Sequence, residues 1–329
     1  MVDRMERKPV DLTRVNDPDR LVLGEASLGR GESRRIPLEF ARLPSGTVID
    51  TIVHVARGPE PGPVLLLQGG LHGDEVGGVE VLRRVIATGG HVPKRGTVMV
   101  VPILNAFGFI HFSRDVPDGK DVNRSFPGHQ RGSLASRIAW HLMHDLFVHV
   151  NVGIDFHTGG GRRENHPQVR YTPGDANAEQ LAQAFAAPFR LPSKPIAKSF
   201  RKAALDRGVP IVVYEGGESL RFDEHAIEEG IAGARRVMAH LGMVDAEAPP
   251  TTPCIALEKS RWIRAPRAGL FHATVPNGVR VEAGAHLGVL AEIHGGRERD
   301  LRAPSDGWII AVNRLPVVNQ GDALIHLGQ

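Results

Sequence analysis

Val64-Leu65-Leu66-Leu67-Gln68-Gly69-Gly70-Leu71-His72-Gly73-Asp74-Glu75 decides how this chain is read. An apolar run of the length of one buried strand breaks at a glycine pair and turns polar at His72. The same design recurs. Val98-Met99-Val100-Val101-Pro102-Ile103-Leu104 runs into Asn105, Val152-Gly153-Ile154-Asp155-Phe156 into His157, and Pro210-Ile211-Val212-Val213-Tyr214 into Glu215. The runs are short and rich in β-branched residues, as strands covered on both faces are. Ligands in open α/β sheets bind outside the carboxyl ends of the strands. The polar groups that end these runs are therefore expected to converge on one cleft.

Helical patterns separate the runs, at about 74–88 (closed by Gly89-Gly90), 134–149, 177–187 and 223–241. The alternating order predicts an α/β fold, a largely parallel sheet with helices on both faces. Upstream, Ile36 to Phe40 and Val48 to Val55 alternate apolar with polar residues around Pro44-Ser45-Gly46, the pattern of a β-hairpin. Residues 1–34 are polar and read as irregular. Asp245-Ala246-Glu247-Ala248-Pro249-Pro250-Thr251-Thr252-Pro253 reads as a linker. It divides a catalytic domain, 1–245, from a small all-β domain, 254–329. That tail carries an imperfect repeat: Arg264-Ala265-Pro266 with Gly269 returns as Arg302-Ala303-Pro304 with Gly307, and Gly284 returns as Gly321. Two paired β-arches follow from it, similar to the biotinyl/lipoyl barrel-sandwich. The tip His294-Gly295-Gly296-Arg297-Glu298-Arg299 has no lysine to carry a group, so a structural or capping module is expected, lying beside the cleft and supplying no metal ligand.

Composition narrows the function. The chain has 329 residues, 41% of them hydrophobic, enough for a substantial core. A net charge of +3 and the lack of a basic block with interleaved aromatics argue against a nucleic-acid partner. No apolar stretch has the length of a membrane span. The charged start Met1 to Lys8 leads into no apolar segment, so no signal peptide is expected. A single cysteine, Cys254, excludes an intrachain disulfide and fits a cytoplasmic location.

His72 and Glu75 form an H-x-x-E pair, and with His157 they make a candidate zinc set: catalytic zinc takes three protein ligands and leaves a position for water. Asp155, two residues before His157, is placed to orient it. His141, His144 and His149 form a rival cluster on a predicted helix. The long loop Asn105 to Gly132 is of the kind usually kept for function. It is dense in polar groups, poor in core-building residues, and carries two arginines, Arg114 and Arg124, whose planar forks suit anion recognition. Glu215 ends an apolar strand, where burial is expected to raise its pKa toward that of a general base. Glu218 competes for the role and is expected to be more exposed.

Taken together, Gly70-Leu71-His72-Gly73-Asp74-Glu75, Asp121-Val122-Asn123-Arg124, Asp155-Phe156-His157 and Glu215 resemble the succinylglutamate desuccinylase/aspartoacylase group of zinc-carboxypeptidase-like hydrolases over roughly residues 50–245. The resemblance implies a mostly parallel mixed sheet and one zinc per chain, held by His72, Glu75 and His157. It implies Glu215 as the base that activates water, Arg114 as the group that polarises the scissile carbonyl, and Asn123 and Arg124 as holders of a substrate carboxylate. Arg201 in Ser199-Phe200-Arg201 is a further carboxylate contact by the same resemblance. The expected reaction is cleavage of the amide bond of a small N-acyl amino acid, with a homo-oligomer left open. The segment Gly159-Gly160-Gly161-Arg162-Arg163 and Gly128 depart from the group's pattern and leave the acyl group and amino acid unassigned. Two alternatives remain: a metallocarboxypeptidase or deglutamylase acting on peptide C-termini, and a zinc-containing binding protein without catalysis.

Overall fold

A computed structural model describes residues 18–42, 45–250, 252–296 and 298–329. Four strands form where the apolar runs predict them, Glu60–Gln68, Arg95–Val101, Val152–Gly159 and Ile211–Glu218, and they pair in parallel at the centre of a mixed 13-stranded sheet. Their lack of alternation has a direct cause. Leu65 and Leu67 face one side, packed with Val81, Leu82 and Val237 of the helices Val76–Ala87 and Glu224–His240. Leu66 faces the other, in a cluster with Ile138, Leu142 and Phe200. Both faces are covered, so both sets of side chains must be apolar. Full burial of one such leucine contributes roughly 2 kcal/mol. Among the described residues no helix is long and apolar enough to cross a membrane.

The flanks of the sheet are antiparallel. On one side lie Ser33–Arg42 and Val48–Arg57, the expected hairpin; Leu43 and Pro44 at its turn lie outside the described residues. Residues 1–17, with the leader expectation, also lie outside them. Residues 18–34 are more ordered than expected: Leu21–Leu23 and Ala26–Leu28 pair as a short hairpin around Gly24, burying Leu21, Leu23 and Leu28. The predicted helix 134–149 is broken into a regular helix Leu134–His141, a wider π-helical turn Leu142–Leu146 and a 3-10 turn Phe147–His149.

The other flank begins with Arg163–Tyr171, antiparallel to Ile211–Glu218 and absent from the sequence reading. Its buried positions include Asn165 and Gln168, so no apolar period betrays it.

The tail joins the sheet at this strand, with Ala311 opposite Asn165, Val312 opposite Glu164 and Asn313 opposite Arg163. The sheet continues through Ala323–Gly328 to Ser260–Arg264. This corrects the expectation of a domain standing apart. The tail has a core of its own, built on Phe271, Leu287, Leu290, Ile309 and Leu324. Yet Leu257 and Ile310 also pack with Phe189 and Leu191 of the catalytic half. Phe189–Pro192 pairs the far end of Arg163–Tyr171, and the edge left at Arg163–Asn165 is what the tail satisfies. The repeat is visible in the elements. Gly269 and Gly307 each open a strand, and Gly284 and Gly321 each turn the chain at φ of +84° and +88°. The strand that Gly269 opens lies in a separate four-stranded sheet and the one that Gly307 opens lies in the central sheet, so each copy contributes strands to both.

Candidate active site

His72 lies in the turn after Glu60–Gln68, and Glu75 occupies the position just before the helix starting at Val76. The turn fits because Gly73 packs directly on the short helix Ala106–Ile110: a Cβ there would lie 1.9 Å from the carbonyl carbon of Gly108. His157 sits near the end of Val152–Gly159. These elements bring two imidazoles and a carboxylate together, with ligand atoms within 4.8 Å of one another and all three residues buried. Glu75 accepts contacts from both rings, Oε1 at 2.8 Å from His72 Nδ1 and Oε2 at 2.7 Å from His157 Nδ1.

Carboxylates stand behind each ring. Asp155 Oδ2 is 2.9 Å from His157 Nε2, and Gln68 Nε2 donates to Asp155 Oδ1 at 3.2 Å. Asp121 Oδ1 lies 3.4 Å from His72 Nε2. With each Nε2 turned to a carboxylate, the Nδ1 atoms face the common centre, the arrangement by which outer partners orient metal-binding histidines. The electrostatics favour a cation here. Burial alone would lower the His157 pKa, but Asp155 and then Glu75 hold it well above its ordinary value. Burial likewise opposes charge on Glu75, and the two histidines overcome it, keeping the carboxyl well below its usual range. Two nitrogens, one carboxylate oxygen and a buried site fit the donor chemistry of catalytic zinc.

A cavity of about 520 Å³ opens over this centre. Arg114, Asn123, Arg124, Arg201 and Glu215 all line it, together with His72, Glu75 and His157. Arg114 is clamped by Asp121 Oδ2 at 3.1 and 3.0 Å, and its Nη1 lies 3.4 Å from Glu75 Oε1. Asn123 Oδ1 accepts from the Phe200 backbone at 2.9 Å, tying the loop to the short helix Phe200–Asp206 that carries Arg201. Arg201 is buried, and among the described residues its Nη1 has no hydrogen-bond partner; burial and then the neighbouring Arg170 charge pull its pKa down to about 10. The Asn105–Gly132 loop is anchored better than expected, because Val116, Val122 and Phe126 enter the core.

Glu215 stands opposite His157 in the parallel pair. Its partners are Asn165 Nδ2 at 2.8 Å and Arg170 Nη1 at 3.1 Å. The surroundings of its carboxylate are an amide and an ion pair, where desolvation was expected. Glu218 is not more exposed: its side chain is 11% accessible against 14% for Glu215. It lies past a bulge, pairs with Arg221 and does not line the cavity.

Asn105 does not reach the cleft. Its side chain caps the helix Ala106–Ile110, accepting from Gly108 N at 2.9 Å. The rival histidines are spent locally: His141 pairs with Asp145 and stacks on Phe40, and His144 stacks on Trp140. Residues missed by the sequence reading are Gln68, Asn165, Arg170, Arg163 and Trp262. Gln68 had a signal, an amide closing an apolar strand. Trp262 comes from the tail and also lines the cavity.

Residues 61–241 match the succinylglutamate desuccinylase/aspartoacylase catalytic domain. The chain is 30% identical over 315 residues to N-alpha-acetyl-L-2,4-diaminobutyric acid deacetylase of Halomonas elongata, covering 90% of each sequence. The product-bound structure of the ectoine utilization protein EutE (DoeB) from Ruegeria pomeroyi superposes with a TM-score of 0.80 at 23% identity, over 90% of this chain and 94% of that one. A succinylglutamate desuccinylase/aspartoacylase from Rhodobacter sphaeroides superposes with a TM-score of 0.78 at 25% identity, with the same coverage.

Proposed function

The chain belongs to the succinylglutamate desuccinylase/aspartoacylase family, and on that premise we propose that it is a zinc-dependent hydrolase of the amide bond in N-acyl amino acids. The observation that carries the reading is the buried His72–Glu75–His157 group sharing one cavity with Arg114 and Glu215. His72, Glu75 and His157 would hold the zinc ion, which would supply Lewis acidity toward water and the reacting oxygen.

This chain's own groups do the rest. Glu215 takes the proton of the attacking water and later delivers it to the leaving nitrogen. Asn165 and Arg170 hold that carboxylate in place. Arg114, fixed by Asp121, offers its guanidinium to the oxygen on which charge develops. Arg124 and Arg201 hold the substrate carboxylate, and Asn123 positions the helix that carries Arg201. The products are a carboxylic acid and a free amino acid.

The cavity volume of about 520 Å³ suits a small molecule, which favours this reading over a carboxypeptidase acting on polypeptides. The Halomonas relative's substrate, an Nα-acetylated diamino acid, belongs in the first panel tested. Release of free amine should be measured over N-acetyl, N-succinyl and N-glutamyl amino acids and short peptides. Turnover of N-acyl amino acids is expected. Turnover of peptides alone, or of nothing in zinc-loaded protein, would overturn the reading.

A further inference from the structure

The tail reaches the cavity along one row of the sheet. Trp262 lies opposite His326, His326 opposite Ala311, and Ala311 opposite Asn165. Residues paired across strands share a face. Asn165 in turn donates to Glu215 at 2.8 Å. The face that holds the hydrolytic base therefore continues, strand by strand, to Trp262.

The indole is held there. It stacks on the His326 ring with centroids 4.4 Å apart and planes 9° from parallel, and the Arg163 guanidinium stands 5.6 Å from its centroid. His326 Nε2 is 3.0 Å from Ser260 Oγ. Burial, then the Arg170 charge, push the His326 pKa down to about 3, so the stack is of two neutral rings at ordinary pH. With one face covered and a cation near the ring, the indole is not a free platform for stacking. It is a rigid boundary of the cavity, contributed by a segment that supplies no hydrolytic group.

Its position says what it bounds. Glu215 must reach the leaving nitrogen, so the amino-acid half of the substrate lies on Glu215's side of His157, toward Asn165 and the tail. We propose that Trp262 is a specificity-determining residue: a wall that restricts the released amino acid to a short side chain. The inference rests on the amide-hydrolase reading above.

The test measures kcat/KM for wild type, Trp262→Ala and Trp262→Phe on two substrate series. One series is Nα-acetyl amino acids with side chains from methyl to benzyl; the other is N-acyl derivatives of a single short amino acid with lengthening acyl groups. Ratios within one variant cancel any loss of folded protein. In Trp262→Ala the long-to-short side-chain ratio should rise about tenfold or more, the worth of a removed steric boundary, with Trp262→Phe close to wild type. The acyl series should keep its wild-type profile. An unchanged side-chain ratio in Trp262→Ala, or a shift confined to the acyl series, would overturn the wall. Wild type that turns over no member of either series would remove the hydrolase reading itself and the wall with it.

Discussion

The parallel centre of the sheet and the tail reach the same cavity by different routes. In the centre each functional group closes its own apolar strand: His157 after Phe156, Glu215 after Tyr214, with His72 and Glu75 in the turn after Gln68. Local sequence carries both the strand and its chemistry. In the tail Trp262 gains its place only because Gly307–Asn313 pairs with Arg163–Tyr171. That pairing joins segments far apart in the chain, and neither segment's own period announces it. Reactive groups can be read from strand ends, whereas a cavity wall built by sheet extension cannot.

The largest expected effect breaks the centre alone. Glu215→Gln should keep the fold and the metal and lower kcat by roughly 10²–10⁴-fold, the usual worth of a general base. Near wild-type turnover in stopped assays would pass the role to another group. Next come the two loop arginines. Arg114→Ala should lower kcat by roughly 10²–10³-fold, because its partner charge develops only during reaction. Arg124→Ala should instead raise KM with kcat little changed, since a substrate carboxylate is bound alike in ground and transition states. Equal effects of the two substitutions on kcat would erase the division of labour.

Asp155→Asn should weaken metal affinity by roughly 10–100-fold, the range for an outer partner of a metal-binding histidine. Titration of metal-depleted protein with zinc reads it, and unchanged affinity would leave Asp155 a packing residue.

The smallest effect lies in the tail. His326 titrates near 6.5 in an unfolded chain and near 3 when folded. Above pH 6.5 both states are neutral and its packing contributes in full. Between 6.5 and about 3 the unfolded chain binds the extra proton, so stability falls as pH falls. His326→Leu should therefore show a smaller drop in Tm between pH 7 and pH 4 than wild type. Parallel profiles would refute the neutral buried stack.

Much of the candidate site was legible because the side chains proposed for catalysis interrupt apolar runs, and an interruption is conspicuous. The strand Arg163–Tyr171 was not, since it turns Asn165 and Gln168 inward and keeps Arg163 and Arg170 at the cavity. Polar lining removes the period that would identify a strand. Asn105 followed the strand-end pattern yet became a helix cap, because an Asn side chain satisfies free backbone N–H groups as readily as it lines a cleft. Trp262 is a lone aromatic in its β-strand, with no local pattern to mark it. Only its register with His326 places it.

Amide hydrolysis at His72, Glu75 and His157 is proposed to depend on a bound metal. Its most direct test follows bound zinc and turnover of an Nα-acetyl amino acid in the same samples, through chelation and stepwise return of zinc. Activity should vanish with the metal and return in proportion to it, saturating at one zinc per chain. Undiminished turnover by metal-free protein would contradict a metal-dependent reaction.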